Sequence, residues 1–305
     1  MNKILVLSAA ALLCASASVA DAQQAFKTPD EAASALASAA KASDMKALTK
    51  VLGPDGEDIV SSGDEVADAA TRQKFVAAYD AKHQIKMDDD NKATMIVGND
   101  DFPIPIPIVR KDGQWKFDTE AGREEILFRR IGRNELDAIQ SCLAYVDAQN
   151  EYAEKDRTGA GVKAYAQRIV SDQGKRDGLY WPTSQGEEPS PLGELVAQAT
   201  AQGYKTDAGR TPFHGYYFKI LKKQGPAAPG GALDYVVRGN MIGGFGLVAY
   251  PAEYRNSGVK TFIVSHSGKV YEKDLGPKTA KLAEQITAYN PDKTWQEVKD
   301  TEPVK

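Results

Sequence analysis

Cysteine is almost absent from this sequence, which has two in 305 residues, Cys14 and Cys142. Cys14 lies in an N-terminal stretch that is expected to be removed, so Cys142 has no disulfide partner within the chain. Ile139, Cys142, Leu143 and Val146 have the spacing of one helical face. That spacing favours a packed thiol over a reactive nucleophile.

Histidine is also scarce, and His83, His214 and His266 are too scattered in the sequence to indicate a metal site. The glycine-rich stretch "GNMIGGFG" lies between predicted strands and opens no helix, so it does not match a dinucleotide fingerprint. No G-x-S-x-G elbow is present. Ser265 and His266 are adjacent in a strand and point to opposite faces. We therefore expect no metal, no cofactor and no identifiable catalytic residue.

Excess positive charge is lacking as well. The net charge is −4 for the whole sequence, and it stays −4 without residues 1–22 because Lys3 and Asp21 cancel. A mildly acidic chain argues against nucleic acid and against anionic membrane surfaces as partners. No apolar run after residue 22 is long enough to span a bilayer, so no membrane span is expected in the mature protein.

The N-terminus has the features of a secretory signal peptide. A short positive region precedes apolar residues 4–14, and residues 20–22 form a small-x-small cleavage site. The mature chain is expected to begin at Gln23 and to reside in the periplasm. Leu13 stands where a lipoprotein would need a small residue before Cys14, so lipid anchoring is not expected.

Residues 23–133 are predicted to form a first α+β domain. Thr28 and Glu31 form a capping box, a second helix starts at Ser43-Asp44, and "TRQKFVAAYDAKH" reads as a third helix. The period then changes to two in "KATMIVG" and "QWKFD", with a hairpin turn at residues 112–113. Helices followed by a curved antiparallel sheet resemble the cone of the nuclear-transport-factor-2-like fold.

A proline-rich segment, "DFPIPIPIVRKDG", lies between these strands. Pro103, Pro105 and Pro107 remove the N–H groups that one edge of a strand would offer. The alternation predicts a strand at the boundary of the sheet, which is protected against pairing with a second chain.

Residues 134–305 are predicted to form a second α+β domain. Asn134 is a candidate cap for a long amphipathic helix, "VKAYAQRIV" reads as a short helix, and Ser190-Pro191 start another with residues 192, 195, 196 and 199 facing inward. From Pro212 the chain reads as five strands, "FHGYYFKIL", "LDYVVR", "FGLVAY", "KTFIVSH" and "KVYEKDL", and a last helix follows Pro277. Short connections predict an antiparallel meander with one face under the long helix.

Several runs in this half, among them "DGLYWP", "QGPAAPGGALDYVV", "GGFGLVAYPAEY" and "GVKTFIVSHSGKVYEKDLG", resemble the domain-of-unknown-function 2950 family of secreted bacterial proteins. The resemblance covers nearly all of the mature chain and implies export without an assigned activity. A long helix followed by a meander is also distantly similar to type II secretion pseudopilins. Those proteins polymerise through an apolar N-terminal helix, whereas the equivalent helix here starts in mid-chain and is amphipathic.

Aromatic and arginine side chains are concentrated in the second half. Tyr and Trp combine an apolar body with a polar tip, so they suit both a core rim and a stacking surface for a ligand. The interpretation that we favour is packing. In the ligand interpretation, Trp181 and a neighbouring tyrosine flank a groove for an envelope ligand. The candidate ligand-binding residues are Tyr180, Trp181, His214, Tyr216, Arg238, Tyr250, Tyr254 and Arg255.

Taken alone, the sequence predicts an exported two-domain α+β protein, in which a cone-like domain precedes a pilin-like helix-on-meander domain. With no recognisable nucleophile, metal or cofactor set, the favoured function is non-catalytic binding or scaffolding. The expected partner is another envelope protein or an envelope polymer. Two alternatives stay open: a periplasmic hydrolase acting on an envelope polymer, and a pilin-like assembly subunit.

Overall fold

The computed structural model of this chain describes residues 23–205 and 211–299. The predicted signal peptide, residues 1–22, lies outside the described residues. The described chain is a mixed α+β protein with antiparallel sheets, as the sequence predicts. In these two ranges, no helix is both long enough and apolar enough to cross a membrane.

The first half opens with helices whose starts are set by side-chain caps. Thr28, Asp44 and Asp64 each accept a hydrogen bond from the backbone N–H three residues further on. The predicted cap at Thr28 is confirmed, but the capping box is not reciprocal, because Glu31 accepts from the Lys27 N–H and not from the Thr28 N–H. The helices are α1 (Pro29–Lys41), α2 (Met45–Leu52), α3 (Glu57–Val60) and α4 (Glu65–Ala81), with a 3-10 turn at Pro54–Gly56.

The helices are followed by an antiparallel sheet with the order β1-β2-β4-β5, with β3 also paired to β2. The predicted hairpin turn is confirmed: Asp112 and Gly113 have φ of 53° and 78°, and they join β4 directly to β5. Alternating residues such as Met95 and Phe117 are buried against α1 and α2. The strands are β1 (His83–Asp89), β2 (Lys92–Val97), β3 (Phe102–Pro103), β4 (Ile108–Lys111) and β5 (Gln114–Phe117).

The proline-rich segment forms two short strands instead of one, and both pair with β2. The Ile104 N–H donates to Met95 O at 2.8 Å. The main-chain groups of the alternating prolines therefore point away from β2. On the other side Pro107 offers no N–H, and its carbonyl oxygen accepts from the Asp118 N–H at 2.8 Å, just after β5. The predicted sheet boundary is therefore right for residues 103–107 and wrong for β4, which lies between β2 and β5.

The long helix begins earlier than predicted. Helix α5 (Thr119–Tyr152) has 34 residues, so Asn134 is not its cap. Asn134 is buried inside the helix, and its Nδ2 donates to the Ser257 carbonyl oxygen at 2.9 Å. The helix runs through the predicted domain boundary, while the hydrophobic cluster of the first half ends at Ile126 and that of the second begins at Ala138.

The predicted helix "VKAYAQRIV" is wrong, since the chain from residue 162 to residue 170 is irregular. The fully buried amide of Gln149 explains the difference. Its Oε1 accepts from the Ala166 N–H and its Nε2 donates to the Ala166 carbonyl, each at 2.8 Å. The Gln149 side chain thus hydrogen-bonds the backbone groups that would otherwise pair within a local helix. Tyr165 and Val170 instead form isolated bridges with Met241 and Tyr180.

The second half contains the predicted antiparallel meander, with strand order β14-β13-β12-β11-β6. One face packs on α5, and the other forms a smaller cluster that includes Ala283 of α7. The helix predicted from Ser190 begins slightly later, at Gly193. The elements are α6 (Gly193–Ala201), β6 (Tyr216–Leu221), β7 (Lys223–Gln224), β8 (Leu233–Asp234), β9 (Val236–Val237), β10 (Asn240–Met241), β11 (Gly246–Pro251), β12 (Lys260–Ser265), β13 (Val270–Asp274), α7 (Thr279–Gln285) and β14 (Gln296–Glu297).

One predicted strand of the meander, "LDYVVR", does not join the large sheet. It is divided into β8, which pairs with β7, and β9, which pairs with β10. Tyr235 lies between the two pieces and is fully buried, and its hydroxyl donates to Gln224 Oε1 at 2.8 Å. The C-terminal β14, which the sequence did not indicate, supplies the fifth strand.

Cys142 lies in the core, on the predicted helical face, with Ile139 and Val146. Burial raises the pKa of its thiol to about 12, from an ordinary value near 9.0. Thiolate is the reactive form, so a raised pKa slows the reaction of this thiol with an aromatic disulfide reagent. For the chain expressed from Gln23, we expect the folded protein to react at least ~1000-fold more slowly than the protein unfolded in concentrated guanidinium chloride. Absorbance of the released thiol measures both rates, and native reaction within tenfold of the unfolded rate would contradict this assignment.

Candidate functional site

An apolar pocket of about 280 Å³ lies between α6 and the large sheet. Its walls come from elements that are distant in sequence: Tyr145 of α5, Phe218 of β6 and Leu247 of β11. Leu195, Val196 and Ala199 of α6 cover it. These α6 residues belong to the inward face that periodicity predicts, so the sequence located one wall of the pocket.

Helix α6 covers the pocket and packs only partly against the core, through Leu195 and Val196. None of its nine residues is buried, and Leu195 and Val196 are only half-buried. Its N-terminal end is anchored, because the buried Leu192 donates its N–H to Leu179 O at 3.0 Å. The apolar face of α6 therefore contacts the core through half-buried side chains and lines the pocket with the rest of its surface.

At the other end of α6, the predicted residue His214 lies at the rim of the pocket. Its Nδ1 is 2.6 Å from Asp137 Oδ2, and its Nε2 is 2.9 Å from Gln202 Oε1, just after α6. Its φ is +49°, and with Gly215 at +75° it forms the two-residue turn between Phe213 and Tyr216. The turn thus places an imidazole between α5 and the end of α6.

Tyr204 joins the pocket to the first half of the chain. Its ring stacks on His214, and its hydroxyl donates to the buried carboxylate of Asp64 at 2.8 Å. Asp64 also accepts from the Gly215 N–H at 2.8 Å while it caps α4. Burial and then the Asp64 charge raise the pKa of the Tyr204 hydroxyl. Sequence reasoning missed Tyr204 and Asp64, because nothing local links residues so far apart.

The other predicted aromatic residues have mainly structural surroundings. Tyr216 and Tyr250 are fully buried in the large sheet. Trp181 is 4% exposed, and its ring meets Tyr152 edge-on. The guanidinium groups of Arg157 and Arg176 lie 5.3 and 5.5 Å from its ring centroid. Tyr180 is half-buried against the same cluster and pairs with Val170.

The remaining predicted residues lie on turns. Arg238 is exposed, with φ of +50°, in the turn between β9 and β10. Arg255 lies over the Tyr254 ring at 5.6 Å, and the Tyr254 hydroxyl donates to Asp274 at 3.2 Å. None of the eight predicted residues lines the apolar pocket, and His214 alone is at its rim. The structure therefore does not bring these eight residues together.

A second, polar cleft of about 490 Å³ lies where the two halves meet. Carboxylates line it, among them Asp58, Glu120 and Glu253, and Asp58 forms an ion pair with Arg123. Beside it, burial lowers the pKa of Arg130, which donates to Asn256 and to two carbonyl oxygens of α3. Across the described ranges, no group of three His, Cys, Asp or Glu side chains is placed to hold a metal ion.

The family match covers residues 23–298, which include the pocket, α5 and both sheets. The chain belongs to the DUF2950 family, described as proteins of unknown function. This confirms the resemblance found in the sequence. No curated protein and no solved structure matched the chain. The likenesses to the nuclear-transport-factor-2-like cone and to pseudopilins stay predictions.

Proposed function

We propose that this DUF2950 protein is an exported, non-catalytic binding module that takes a small apolar group in the pocket under α6. The single observation that carries the proposal is the pocket, whose walls are apolar and whose cover contains no buried residue. Ligand sites are typically concave and apolar, with a few polar groups at the rim. Here the rim contains His214, Asp137 and Tyr204.

Burial of apolar surface supplies the driving force. Leu195 and Val196 of α6 are half-exposed. An apolar group in the pocket would remove their surface from water and fill the space between α6 and Phe218. Binding is therefore expected to order α6 and to stabilise the second half of the chain.

The contacts of His214 support binding over catalysis. Its Nδ1 faces a carboxylate, as in many catalytic pairs, but its Nε2 faces the amide of Gln202. Within residues 23–205 and 211–299, no serine or cysteine side chain is hydrogen-bonded to this imidazole. His214, which contacts Asp137 of α5 and Gln202 after α6, therefore holds the end of α6 against α5.

The proposed location is the periplasm, on the strength of the signal-like residues 1–22. In that compartment, the proposed ligand is the apolar part of an envelope protein or polymer.

Filling the pocket tests the proposal. We expect wild-type protein to bind the apolar fluorophore 1-anilinonaphthalene-8-sulfonate saturably, and Ala199→Phe to weaken binding at least ~10-fold because the ring occupies the pocket. Fluorescence titration measures both affinities. Ala197→Phe is the matched control, since Ala197 lies on the exposed side of the same helix. Equal binding by Ala199→Phe and Ala197→Phe, or no saturable binding by wild type, would refute the proposal.

A further inference from the structure

The outer edge of β6 borders the pocket, and its orientation follows from three hydrogen bonds. Tyr216 and Phe213 exchange N–H and C=O groups at 2.8 and 3.1 Å, so the main chain of Tyr216 faces away from β11. On the other side, the Ala252 N–H donates to Gly215 O at 2.9 Å, so odd-numbered residues face β11. Because strand residues alternate, Phe218 and Ile220 also direct their N–H and C=O groups outward.

These outward groups form a short unpaired window in the sheet edge. The Phe213–Tyr216 turn closes one end, and the Tyr235 N–H, which donates to Lys222 O at 2.9 Å, closes the other. β6 pairs with β11 alone, and among the described residues none hydrogen-bonds the outward main-chain groups of Phe218 or Ile220. Both residues are half-buried. An unpaired strand edge is a template for another strand.

The window and the pocket form one site. Phe213 and Phe218 line the pocket. The apolar wall of the pocket therefore lies next to the outward main-chain N–H and C=O groups of β6. The two outward residues lie two positions apart, which is about 6.6 Å along a strand. A ligand that fills the pocket with hydrocarbon alone would leave these groups without partners, which is unfavourable when water is excluded.

We propose that the ligand is a short, extended, apolar polypeptide segment, which pairs with Phe218 and Ile220 as an added strand and places one side chain in the pocket under α6. This inference rests on the proposed function and names its ligand class. Strand addition provides affinity through the main chain and selectivity through alternate side-chain pockets. The main chain of the peptide would exchange hydrogen bonds with the outward N–H and C=O groups of Phe218 and Ile220.

A flexible segment of another protein fits this window better than a second copy of the chain. A second β6 edge would bring its own Phe213–Tyr216 turn and its own Tyr235 segment to the same two ends. A single extended chain has no such projections. The occupant is therefore an unstructured or terminal segment of an envelope protein, with apolar residues at alternate positions.

The main chain can be tested by substitution at Ile220. Ile220→Pro removes an outward N–H and blocks the window with a ring, yet it leaves the hydrogen bonds to β11 in place, because odd-numbered residues make them. Ile220→Ala removes the same side chain and keeps the N–H, so it is the matched control. Thermal unfolding followed by circular dichroism verifies that both variants are folded.

The probe is the capped peptide Lys-Val-Val-Val-Lys with a fluorescent label, measured by anisotropy with full-length protein. We expect saturable binding by wild type and by Ile220→Ala, and at least ~10-fold weaker binding by Ile220→Pro. An N-methyl group on the central valine should weaken binding to wild type in the same way. If Ile220→Pro proves unfolded, the N-methyl peptide against wild type decides the question.

Three results would overturn the inference: no saturable peptide binding at millimolar concentration, equal binding by the N-methyl peptide, or equal binding by folded Ile220→Pro. A concentration-dependent dimer that Ile220→Pro abolishes would also overturn it in favour of a second copy. Anilinonaphthalene sulfonate binding that Ala199→Phe weakens, together with failure of the peptide, would retain the pocket and reject only the peptide. Loss of both would reject the proposed function itself.

Discussion

Asp64→Ala is expected to lower the free energy of unfolding by about 4 kcal/mol. The lost helix cap accounts for about 1 kcal/mol, and each of the two other hydrogen bonds to the carboxylate accounts for about 1.5 kcal/mol. Asp64 is 1% exposed. It accepts from the Ala67 N–H in the first half, and from the Tyr204 hydroxyl and the Gly215 N–H in the second. Alanine would leave three donors without an acceptor. Urea denaturation followed by circular dichroism measures the loss.

Asp44→Ala is the matched control for this variant. Asp44 caps α2 in the same way, by accepting from the Ala47 N–H, but it is exposed and its cap bond stays within the first half. We expect it to cost about 1 kcal/mol. Tyr204→Phe should fall between the two, since it removes one bond to Asp64. Equal costs for Asp64→Ala and Asp44→Ala would show that the bonds between the halves contribute nothing.

Gly122→Ala is expected to destabilise the protein by about 2 kcal/mol, because overpacking against fixed backbone outweighs the gain in helix propensity. A Cβ at Gly122 would lie 2.7 Å from Ile106 Cα and 2.7 Å from the Pro105 carbonyl oxygen. These are backbone atoms of the proline-rich segment, so relief requires the start of α5 to move away from the first sheet. Chemical denaturation measures the change in midpoint.

Gly132→Ala in the same helix should have the opposite sign. A Cβ there meets nothing within 4 Å, so alanine should stabilise α5 by about 1 kcal/mol through helix propensity alone. The pair separates close packing from intrinsic propensity within one helix. Stabilisation by both substitutions would mean that α5 does not approach the proline-rich segment as closely as Gly122 permits.

Sequence reasoning worked where the deciding interactions are local. Thr28 and Glu31 are three residues apart, and Asp112 and Gly113 are adjacent, so the cap and the turn follow from neighbouring residues alone. It failed where a distant group intervened. The Gln149 side chain hydrogen-bonds the N–H and C=O of Ala166 and so prevents the predicted helix, although the hydrophobic periodicity there is that of a helix.

The sequence alone predicts the family, the α+β class, the caps of α1 and α2, and four strands of the large meander. It also predicts one wall of the pocket, through the α6 face that includes Leu195 and Ala199. The packed structure was needed to show that this face covers a pocket beside Phe218, whose outward main-chain groups have no partner among the described residues. It also decided that Asp64 joins the two halves through Tyr204. The reason is physical: caps, turns and periodicity depend on near neighbours, whereas a pocket and an open edge exist only after distant segments have packed.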